Sequence, residues 1–420
     1  MKGSGCKSPV LLLGWIPRIV VTVARSLNNH GVPVDVAHFT QKLRSSSSAI
    51  RCSFFLPHPC VDPSKCVAEL RDLIIRNGYD MLIPTDDQAL ALLAHHGERL
   101  KEVVHVASPA APTLTLVLNK TGTLRIARDC GIQVPESSVA NSVHELEAAL
   151  ADVPFPAVMK AAEKSLREEI LKTCLVRSKD EACSRLERNQ TYDLPLLLQE
   201  FCDGIGVGIE LLMHDGEPRA IFQHRRLKEL PFRGGVSVLA VAEPPDPKLV
   251  SASISLLRAM KWDGVAMVEY KVNSSTGEAV LLEVNGRYWG SLGLPLAAGI
   301  DFPLYQWQLV HGEVPDVPKD YRVGTRWRWT AGYFARLNEL MALAVHSDDG
   351  RHALRTSLRD LLHDFSPGVV DASFRWSDPT PGLAELALAA SHLAMYDTKA
   401  ALRRVFNRHM SQRYLLSKVD

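Results

Sequence analysis

Two glutamates and an asparagine on a predicted β-hairpin could hold a cation. Glu269 lies in the stretch Val-Ala-Met-Val-Glu-Tyr, and Glu283 and Asn285 lie in Leu-Leu-Glu-Val-Asn-Gly-Arg. Side chains alternate along a strand, so Glu283, Asn285 and Arg287 share one face. If Glu269 pairs with Glu283, two carboxylates and an amide oxygen converge, and a hard cation such as Mg²⁺ would offset the carboxylate repulsion. The alternative is an exposed strand face that carries two unrelated glutamates.

Two lysines upstream could bind phosphate oxygens beside such a cation. Lys160 ends an apolar strand over residues 155–159, and Lys120 opens a helix that stops at Gly131. Either lysine alone is typical of a solvent-facing position. Together with the predicted cation site, the two ammonium groups could neutralise a polyphosphate.

A third segment could receive a nucleotide base. The strand Leu-Leu-Gln-Glu-Phe ends at Glu200 and Phe201 and is followed by Asp203-Gly204. A strand that runs into a linker offers backbone N–H and C=O groups to the edge of an adenine.

A basic segment, residues 224–235, is the fourth candidate. It reads His-Arg-Arg-Leu-Lys-Glu-Leu-Pro-Phe-Arg-Gly-Gly. We expect a loop at the acceptor site, where Arg225 or Arg226 binds phosphate or a substrate carboxylate bidentately. The alternative is a basic surface loop. His224 is a much weaker candidate for a general base, since a lone histidine is usually structural or merely exposed.

Composition sets the class of protein. The chain has 420 residues, of which 46% are hydrophobic and 23% charged, and its formal net charge is +1. This is ordinary globular composition for several domains, without a global charge that favours nucleic acid or an anionic membrane. The eight cysteines contain no C-x-x-C, and no apolar stretch reaches the length of a membrane span. We expect a cytoplasmic protein with reduced thiols.

The elements that must position these residues change character along the chain. The first third alternates buried strands, such as Val10–Leu13, with helices, which favours a doubly wound parallel sheet. No G-x-G-x-x-G follows the first strand, so nothing points to a dinucleotide site. A second unit begins near Asn119 and mixes strands with helices. From Tyr321 onward the pattern is mostly helical.

The order of these candidates resembles the ATP-grasp superfamily, and most of all its carboxylate–amine ligase and carbamoyl-phosphate-synthase-like branch. The resemblance covers roughly residues 5–315 and includes Gln199-Glu200-Phe201 and Glu283-Val-Asn-Gly-Arg287. It implies an α/β ATP-grasp fold with an N-terminal doubly wound parallel-sheet domain and a helical C-terminal extension. The implied domains are a Rossmann-like domain (1–118), a small lobe (119–195), a large lobe with the metal site (196–320) and the extension (321–420).

The resemblance also implies where ATP binds. Lys120 and Lys160 would contact its phosphates. The main chain from Glu200 to Cys202 would hold the adenine. The residues implied in base binding are Gln199, Glu200, Phe201 and Cys202.

For the metal and the transfer step the resemblance implies a second set of residues. Glu269, Glu283 and Asn285 would bind Mg²⁺, with Mn²⁺ as the alternative metal. Arg287 would steady the transferring phosphoryl group, and Arg225 and Arg226 are the other candidate catalytic residues.

The sequence departs from the family pattern at two places. Where a glycine-rich phosphate loop is usual, residues 161–169 contain no glycine, and Lys164 and Arg167 either replace it as side-chain cations or belong to a solvated charged loop. The position expected to offer a carboxylate to the ribose is Gly206, with Glu210 as the nearest replacement.

The implied reaction is ATP-dependent ligation of a small-molecule carboxylate to an amine through an acyl phosphate. The alternatives are a bicarbonate-activating carboxylase or carbamoyl-phosphate-type enzyme, and a nucleotide-binding module without catalysis. We expect no nucleic-acid or membrane partner, and a homodimer as the assembly.

Overall fold

In the computed structural model, residues 7–39, 47–142, 145–166, 173–188 and 195–390 can be described. The N-terminal part contains a five-stranded parallel sheet in the order β3-β2-β1-β4-β5. Its strands are β1 (Val10–Leu13), β2 (Val34–His38), β3 (Ser53–Phe55), β4 (Met81–Pro84) and β5 (His105–Val106). The helices around it are α1 (Pro17–Asn29), α2 (Pro63–Asn77) and α3 (Asp87–Lys101). The strand order reverses between β1 and β4, which is where ligands bind in open α/β sheets.

Local sequence explains this arrangement. Every residue of β1 and β4 is buried, as expected for strands covered on both faces by helices. Helix α1 begins at Pro17, where a missing N–H costs no hydrogen bond. Asp62 caps α2 and Asp86 caps α3 by accepting from backbone N–H groups.

The second unit is a four-stranded sheet in the order β6-β9-β7-β8. Its strands are β6 (Ser137–Ala140), β7 (Ala157–Ala161), β8 (Cys174–Val176) and β9 (Leu196–Glu200). Helices α4 (Ala111–Leu118) and α5 (Lys120–Asp129) precede it, and α6 (Leu146–Ala151) and α7 (Lys179–Arg188) pack with it. Helix α4 was not expected from the sequence.

The third unit is a seven-stranded sheet in the order β14-β13-β10-β11-β12-β15-β16. Its strands are β10 (Ile205–His214), β11 (Glu217–Leu230), β12 (Val236–Glu243), β13 (Gly264–Val272), β14 (Ala279–Asn285), β15 (Arg326–Arg328) and β16 (Val369–Asp371). The associated helices are α8 (Pro247–Ala259), α9 (Gly293–Ala298), α10 (Phe302–Val310), α11 (Thr330–Ala344), α12 (Asp348–Arg359) and α13 (Leu361–Asp364).

The α/β fold class is therefore confirmed, with two corrections. The basic segment 224–235 is not one loop, because β11 continues to Leu230 and only residues 231–235 connect it to β12. The C-terminal part is not purely helical, because β15 and β16 extend the large sheet. The domain boundaries remain predictions. Within the described ranges, no helix is both long and apolar enough to span a bilayer.

Candidate functional site

The two glutamates of the hairpin do face each other. Strands β13 and β14 pair in antiparallel register with Glu269 opposite Glu283 and Met267 opposite Asn285. The Asn285 Nδ2 donates to Glu269 Oε1 at 2.8 Å and to Glu283 Oε1 at 3.2 Å. The structure thus brings all three predicted metal ligands together on one face of the sheet.

The two carboxyl groups differ in their electrostatic surroundings. Burial raises the pKa of Glu269, and the nearby charge of Glu283 adds to the effect. Burial alone would raise the pKa of Glu283 as well, but the charges of Lys164, Lys160 and Lys120 outweigh it and lower that pKa to about 2. Glu283 therefore stays ionised, and the cluster holds a negative charge at its lysine side.

Both predicted phosphate-binding lysines lie beside this cluster. Lys160 is the fourth residue of β7, and its Nζ donates to Gln199 Oε1 at 2.8 Å. Lys120 is the first residue of α5, and its Nζ donates to the Ala161 carbonyl at 2.6 Å. Burial lowers the pKa of Lys160 to about 8, although Glu283 partly counteracts this. Strand β7 and helix α5 thus place two ammonium groups near the buried carboxylate of Glu283.

A third lysine, Lys164, reaches the cluster from the glycine-free segment. Its Nζ donates to Asn285 Oδ1 at 3.0 Å and lies 3.6 Å from Asp87 Oδ1. Its side chain is only 9% exposed, so the interpretation of a solvated loop is wrong for Lys164. The other cation suggested there, Arg167, lies outside the described residues.

The donor atoms of this cluster suit Mg²⁺. Two carboxylates and an amide oxygen are hard oxygen ligands, and the contact between the Lys164 ammonium and Asn285 Oδ1 shows that a cation is favourable there. In the described ranges no group of three or more His, Cys, Asp and Glu side chains forms a candidate metal site. A metal held by Glu269, Glu283 and Asn285 would therefore need further oxygens from phosphate or water.

Arg287 is tied to the N-terminal sheet. Its Nε and Nη2 donate to the two carboxylate oxygens of Asp87 at 3.0 and 2.9 Å. Burial opposes ionisation of Asp87, but Arg287 and Lys164 together hold its pKa below the usual range. The sequence interpretation missed Asp87, although Thr-Asp-Asp-Gln directly after the buried strand β4 is a signal for a helix start at the carboxyl edge of a sheet.

The two adjacent arginines of β11, Arg225 and Arg226, point to opposite faces. Arg226 Nη2 lies 2.5 Å from Glu269 Oε2, and its Nη1 donates to the Gly235 carbonyl at 2.8 Å. Arg225 pairs with Glu243 on the other side of the sheet. Since neighbouring strand residues alternate, the geometry supports Arg226 as a site residue and does not bring Arg225 to the cluster.

The predicted base-binding strand, β9, lies between β6 and β7 in the small sheet. The Glu200 N–H donates to the Glu136 carbonyl, and the Phe201 N–H donates to the Pro156 carbonyl at 3.0 Å. Beyond this point Cys202 and Asp203 belong to no strand. The chain therefore leaves the sheet after Phe201, where the backbone of Cys202 is the part of the segment outside the strand pairing.

His224 and Glu210 lie inside the large lobe instead. Both side chains are fully buried, and His224 Nδ1 is 2.7 Å from Glu210 Oε1. Burial lowers the pKa of His224 to about 3 and raises that of Glu210 well above its usual value. Both groups therefore favour their neutral forms, and Glu210 cannot serve as the ribose carboxylate.

Comparison with known proteins identifies the fold. A family model described as ATP-grasp in the biosynthetic pathway with Ter operon matches residues 193–332. The L-amino acid ligase of Bacillus licheniformis superposes with a TM-score of 0.59 at 16% identity, over 74% of this chain and 78% of that one. Residues 193–332 thus resemble the ATP-grasp family, and the chain shares the fold of this ligase.

Two further solved structures are similar. The N5-carboxyaminoimidazole synthetase of Staphylococcus aureus, complexed with ADP, gives a TM-score of 0.58 at 11% identity, over 76% of this chain and 81% of that one. The biotin carboxylase domain of the Hydrogenobacter thermophilus 2-oxoglutarate carboxylase, in complex with MgADP and bicarbonate, gives a TM-score of 0.59 at 13% identity. The match covers 76% of this chain and 73% of that one. A sequence search of curated proteins finds no match.

Neighbouring side chains occupy both places where the sequence departs from the ATP-grasp pattern. Lys164 enters the cluster from the segment in which that pattern has a glycine-rich loop. A Cβ at Gly206 would lie 2.7 Å from Glu229 Oε1, so the carboxylate of Glu229 fills the space beside that glycine. Glu229 is held by Lys271 Nζ at 2.9 Å and approaches Arg226 Nη1 at 3.4 Å.

Proposed function

We propose that this ATP-grasp protein is an ATP- and Mg²⁺-dependent ligase that joins a carboxylate to an amine. The observation that carries the proposal is the convergence of cations and acids in one buried place. The charges of Lys120, Lys160 and Lys164 act on Glu283, and Asn285 contacts Glu269, Glu283 and Lys164. Opposite charges at this density suit a metal–polyphosphate complex, because the cations and the metal both offset phosphate charge.

In the proposed reaction, an oxygen of the substrate carboxylate attacks the γ-phosphorus of ATP, and ADP leaves. The amine then attacks the carbonyl carbon of the acyl phosphate, an amide bond forms and phosphate leaves. Mg²⁺ on Glu269, Glu283 and Asn285 would neutralise phosphate oxygens. Lys120 and Lys160 would bind the phosphates, and the guanidinium of Arg287 would stabilise the transferring group.

Replacing Glu283 tests the metal assignment. We expect Glu283→Gln to abolish ADP release, by roughly a hundredfold or more, because a neutral amide removes the ionised ligand of the cluster. The assay measures ADP against panels of carboxylates and amines, with and without Mg²⁺. Glu278→Gln is the matched control, because Glu278 lies at the exposed end of the same hairpin. Turnover like that of the wild type in Glu283→Gln would disprove the metal assignment.

Two alternatives have specific support. One similar structure is a biotin carboxylase domain in complex with bicarbonate, so bicarbonate activation is the first, and ADP production stimulated by bicarbonate without amine would favour it. The contact of Lys164 with the predicted metal ligand Asn285 supports the second, a nucleotide-binding module without catalysis. ATP binding by calorimetry, with no ADP formed on any panel, would select that function.

A further inference from the structure

Arg18 is a largely buried cation that forms an ion pair with no acid among the described residues. It lies in the first turn of α1, directly after the carboxyl end of β1. Its guanidinium stacks on the ring of Trp329, with 4.2 Å between Cζ and the ring centroid. Its Nε is buried without a hydrogen-bond acceptor, and no ion pair or side-chain hydrogen bond joins Arg18 to any described residue. Buried charges are normally paired, since leaving one unpaired costs several kcal/mol.

The charges around Arg18 do not neutralise it. Burial lowers the pKa of Arg18 to about 10, and the positive charge of Arg287 acts in the same direction. Glu385 is the acid that opposes this, but it accepts a hydrogen bond from Trp329 Nε1 at 3.0 Å and forms no ion pair with Arg18. Arg287, which is itself paired with Asp87, lies close to Arg18, and Arg18 keeps its hydrogen-bonding edge free of a carboxylate among the described residues.

The backbone leaves room for this guanidinium. A Cβ at Gly290 would lie 2.5 Å from Arg18 Nε and 2.9 Å from its Nη2. Any larger residue at position 290 would push the side chain away. Gly290 follows Arg287 by three residues, so the segment that carries the proposed transfer arginine also makes the space for Arg18.

The available donors fit a carboxylate. Trp329 covers a face of the planar guanidinium and Gly290 packs against its Nε side. A ligand must therefore approach the edge formed by Nη1 and Nη2, whose paired N–H groups match the two oxygens of a carboxylate. The first turn of α1 adds the positive end of a 13-residue helix dipole. A phosphate would draw on several cations or a glycine-rich nest, and α1 begins with Ile16 and Pro17 instead.

We propose that Arg18 binds a carboxylate of the substrate, next to Arg287 and distinct from the carboxylate that is phosphorylated. This assigns the substrate to the acids that carry a second carboxylate, such as dicarboxylic acids or amino acids ligated through one of their groups. The proposal rests on the proposed function for the identity of the reacting group.

The test measures anion binding without nucleotide or metal. Wild type and Arg18→Met are titrated by calorimetry with succinate, with its neutral analogue succinamide and with inorganic phosphate, at matched ionic strength. We expect succinate to bind wild type, succinamide not to bind, and Arg18→Met to weaken succinate binding by roughly tenfold or more, because a charge-assisted bond is lost. Gly290→Ala should weaken it in the same direction.

Folding is checked independently. Arg18→Met should bind ADP as wild type does, and its thermal unfolding midpoint without ligand should rise, because an unpaired buried charge has been removed. Equal succinate affinity in both proteins, or no succinate binding by wild type, would overturn the proposal. Arg18-dependent binding of phosphate but not succinate would overturn the carboxylate assignment. If succinate binds through Arg18 but no carboxylic acid stimulates ADP release, the proposed ligase function is wrong and Arg18 is still a carboxylate-binding site.

Discussion

At the scale of single residues, burial disfavours the charged form of Lys160. Its pKa is lowered by burial to about 8, below the ordinary value of 10.5. Between those values the unfolded chain binds more protons than the folded one, so the contribution of Lys160 to the free energy of unfolding rises with pH across this window. We expect ADP affinity to fall as pH rises through about 8, and ADP binding near pH 8 to take up a proton, because phosphates favour the charged lysine. Calorimetry in buffers of different ionisation enthalpy measures that uptake.

Lys160→Arg is the control for this pH dependence. A guanidinium keeps its charge throughout the window, so the variant should show no proton uptake and a flat affinity profile near pH 8. An unchanged pH profile in Lys160→Arg would assign the titration to another group.

Lys164 gives a second prediction at this scale. Its ammonium contacts Asn285 and is the charge that lowers the pKa of Glu283 most. We expect Lys164→Met to bind free Mn²⁺ about tenfold more tightly, as repulsion of about 1.4 kcal/mol disappears, and to bind ADP more weakly, as a phosphate cation is lost. Electron paramagnetic resonance measures free Mn²⁺. Lys248→Met, at an exposed position on α8, should change neither affinity.

At the scale of elements, the sequence predicted the strands that carry the cluster better than it predicted their surroundings. Strand β1 has the predicted bounds, Val10–Leu13, and strands β9 and β14 form where strands were predicted. The basic run that begins at His224 suggested a loop by composition, yet β11 continues through Arg225 and Arg226. Its charges are stabilised by acids distant in sequence, Glu243 and Glu269, and such pairings cannot be read from local pattern.

The same limit applies to the cluster itself. Strand alternation and one assumed register were enough to predict that Glu269 and Glu283 face each other. The approach of Asp87 to Arg287, across 200 positions of sequence, depends on how the N-terminal sheet packs against the large lobe. For Lys164 the sequence left two possibilities open, a phosphate-binding cation or a solvated loop residue. A loop has no regular periodicity from which the direction of a side chain could be inferred.

The C-terminal elements are joined to the large sheet by a buried ion cluster, which gives an element-scale prediction. Asp364 at the end of α13 pairs with Lys228 of β11, accepts from Tyr333 Oη at 2.7 Å and pairs with Arg326 Nη2 at 2.9 Å. We expect Asp364→Ala to lower the free energy of unfolding by about 3–5 kcal/mol, because it leaves buried cations unpaired. Denaturant unfolding measures this.

Asp349→Ala is the matched control for that loss. Asp349 pairs with Arg233 at 2.8 Å, but both side chains are at least half exposed, so the expected change is under about 1 kcal/mol. The pKa of Asp364 is lowered by its hydrogen bonds with Lys228 and Tyr333 despite burial. Its stabilising contribution is therefore lost as pH falls below its ordinary range, and the difference between wild type and Asp364→Ala should shrink in acid.

At the scale of the whole molecule, the N-terminal sheet supplies part of the site through Asp87. Its carboxylate holds Arg287 bidentately and lies near Lys164, so it joins the small-lobe segment, the large lobe and α3. We expect Asp87→Asn to lower ADP formation by roughly tenfold to a hundredfold, because a misplaced Arg287 stabilises the transferring group less well. ADP affinity should not fall, since Asp87 contacts no residue proposed to bind the base and the neighbouring phosphate cation Lys164 keeps its charge.

A second polar contact between the same parts of the molecule provides the control. It distinguishes positioning of Arg287 by Asp87 from a role of Asp87 in holding the two parts together. His311 Nε2 lies 3.0 Å from Asp80 Oδ2, so this pair also joins the N-terminal sheet to the large lobe, but at a surface that carries no proposed site residue. Asp80→Asn should therefore lower the thermal unfolding midpoint while leaving ADP formation intact. If both variants lost turnover in proportion to stability, Asp87 would only hold the domains together. Loss confined to Asp87→Asn means that the N-terminal sheet positions Arg287 for the transfer step.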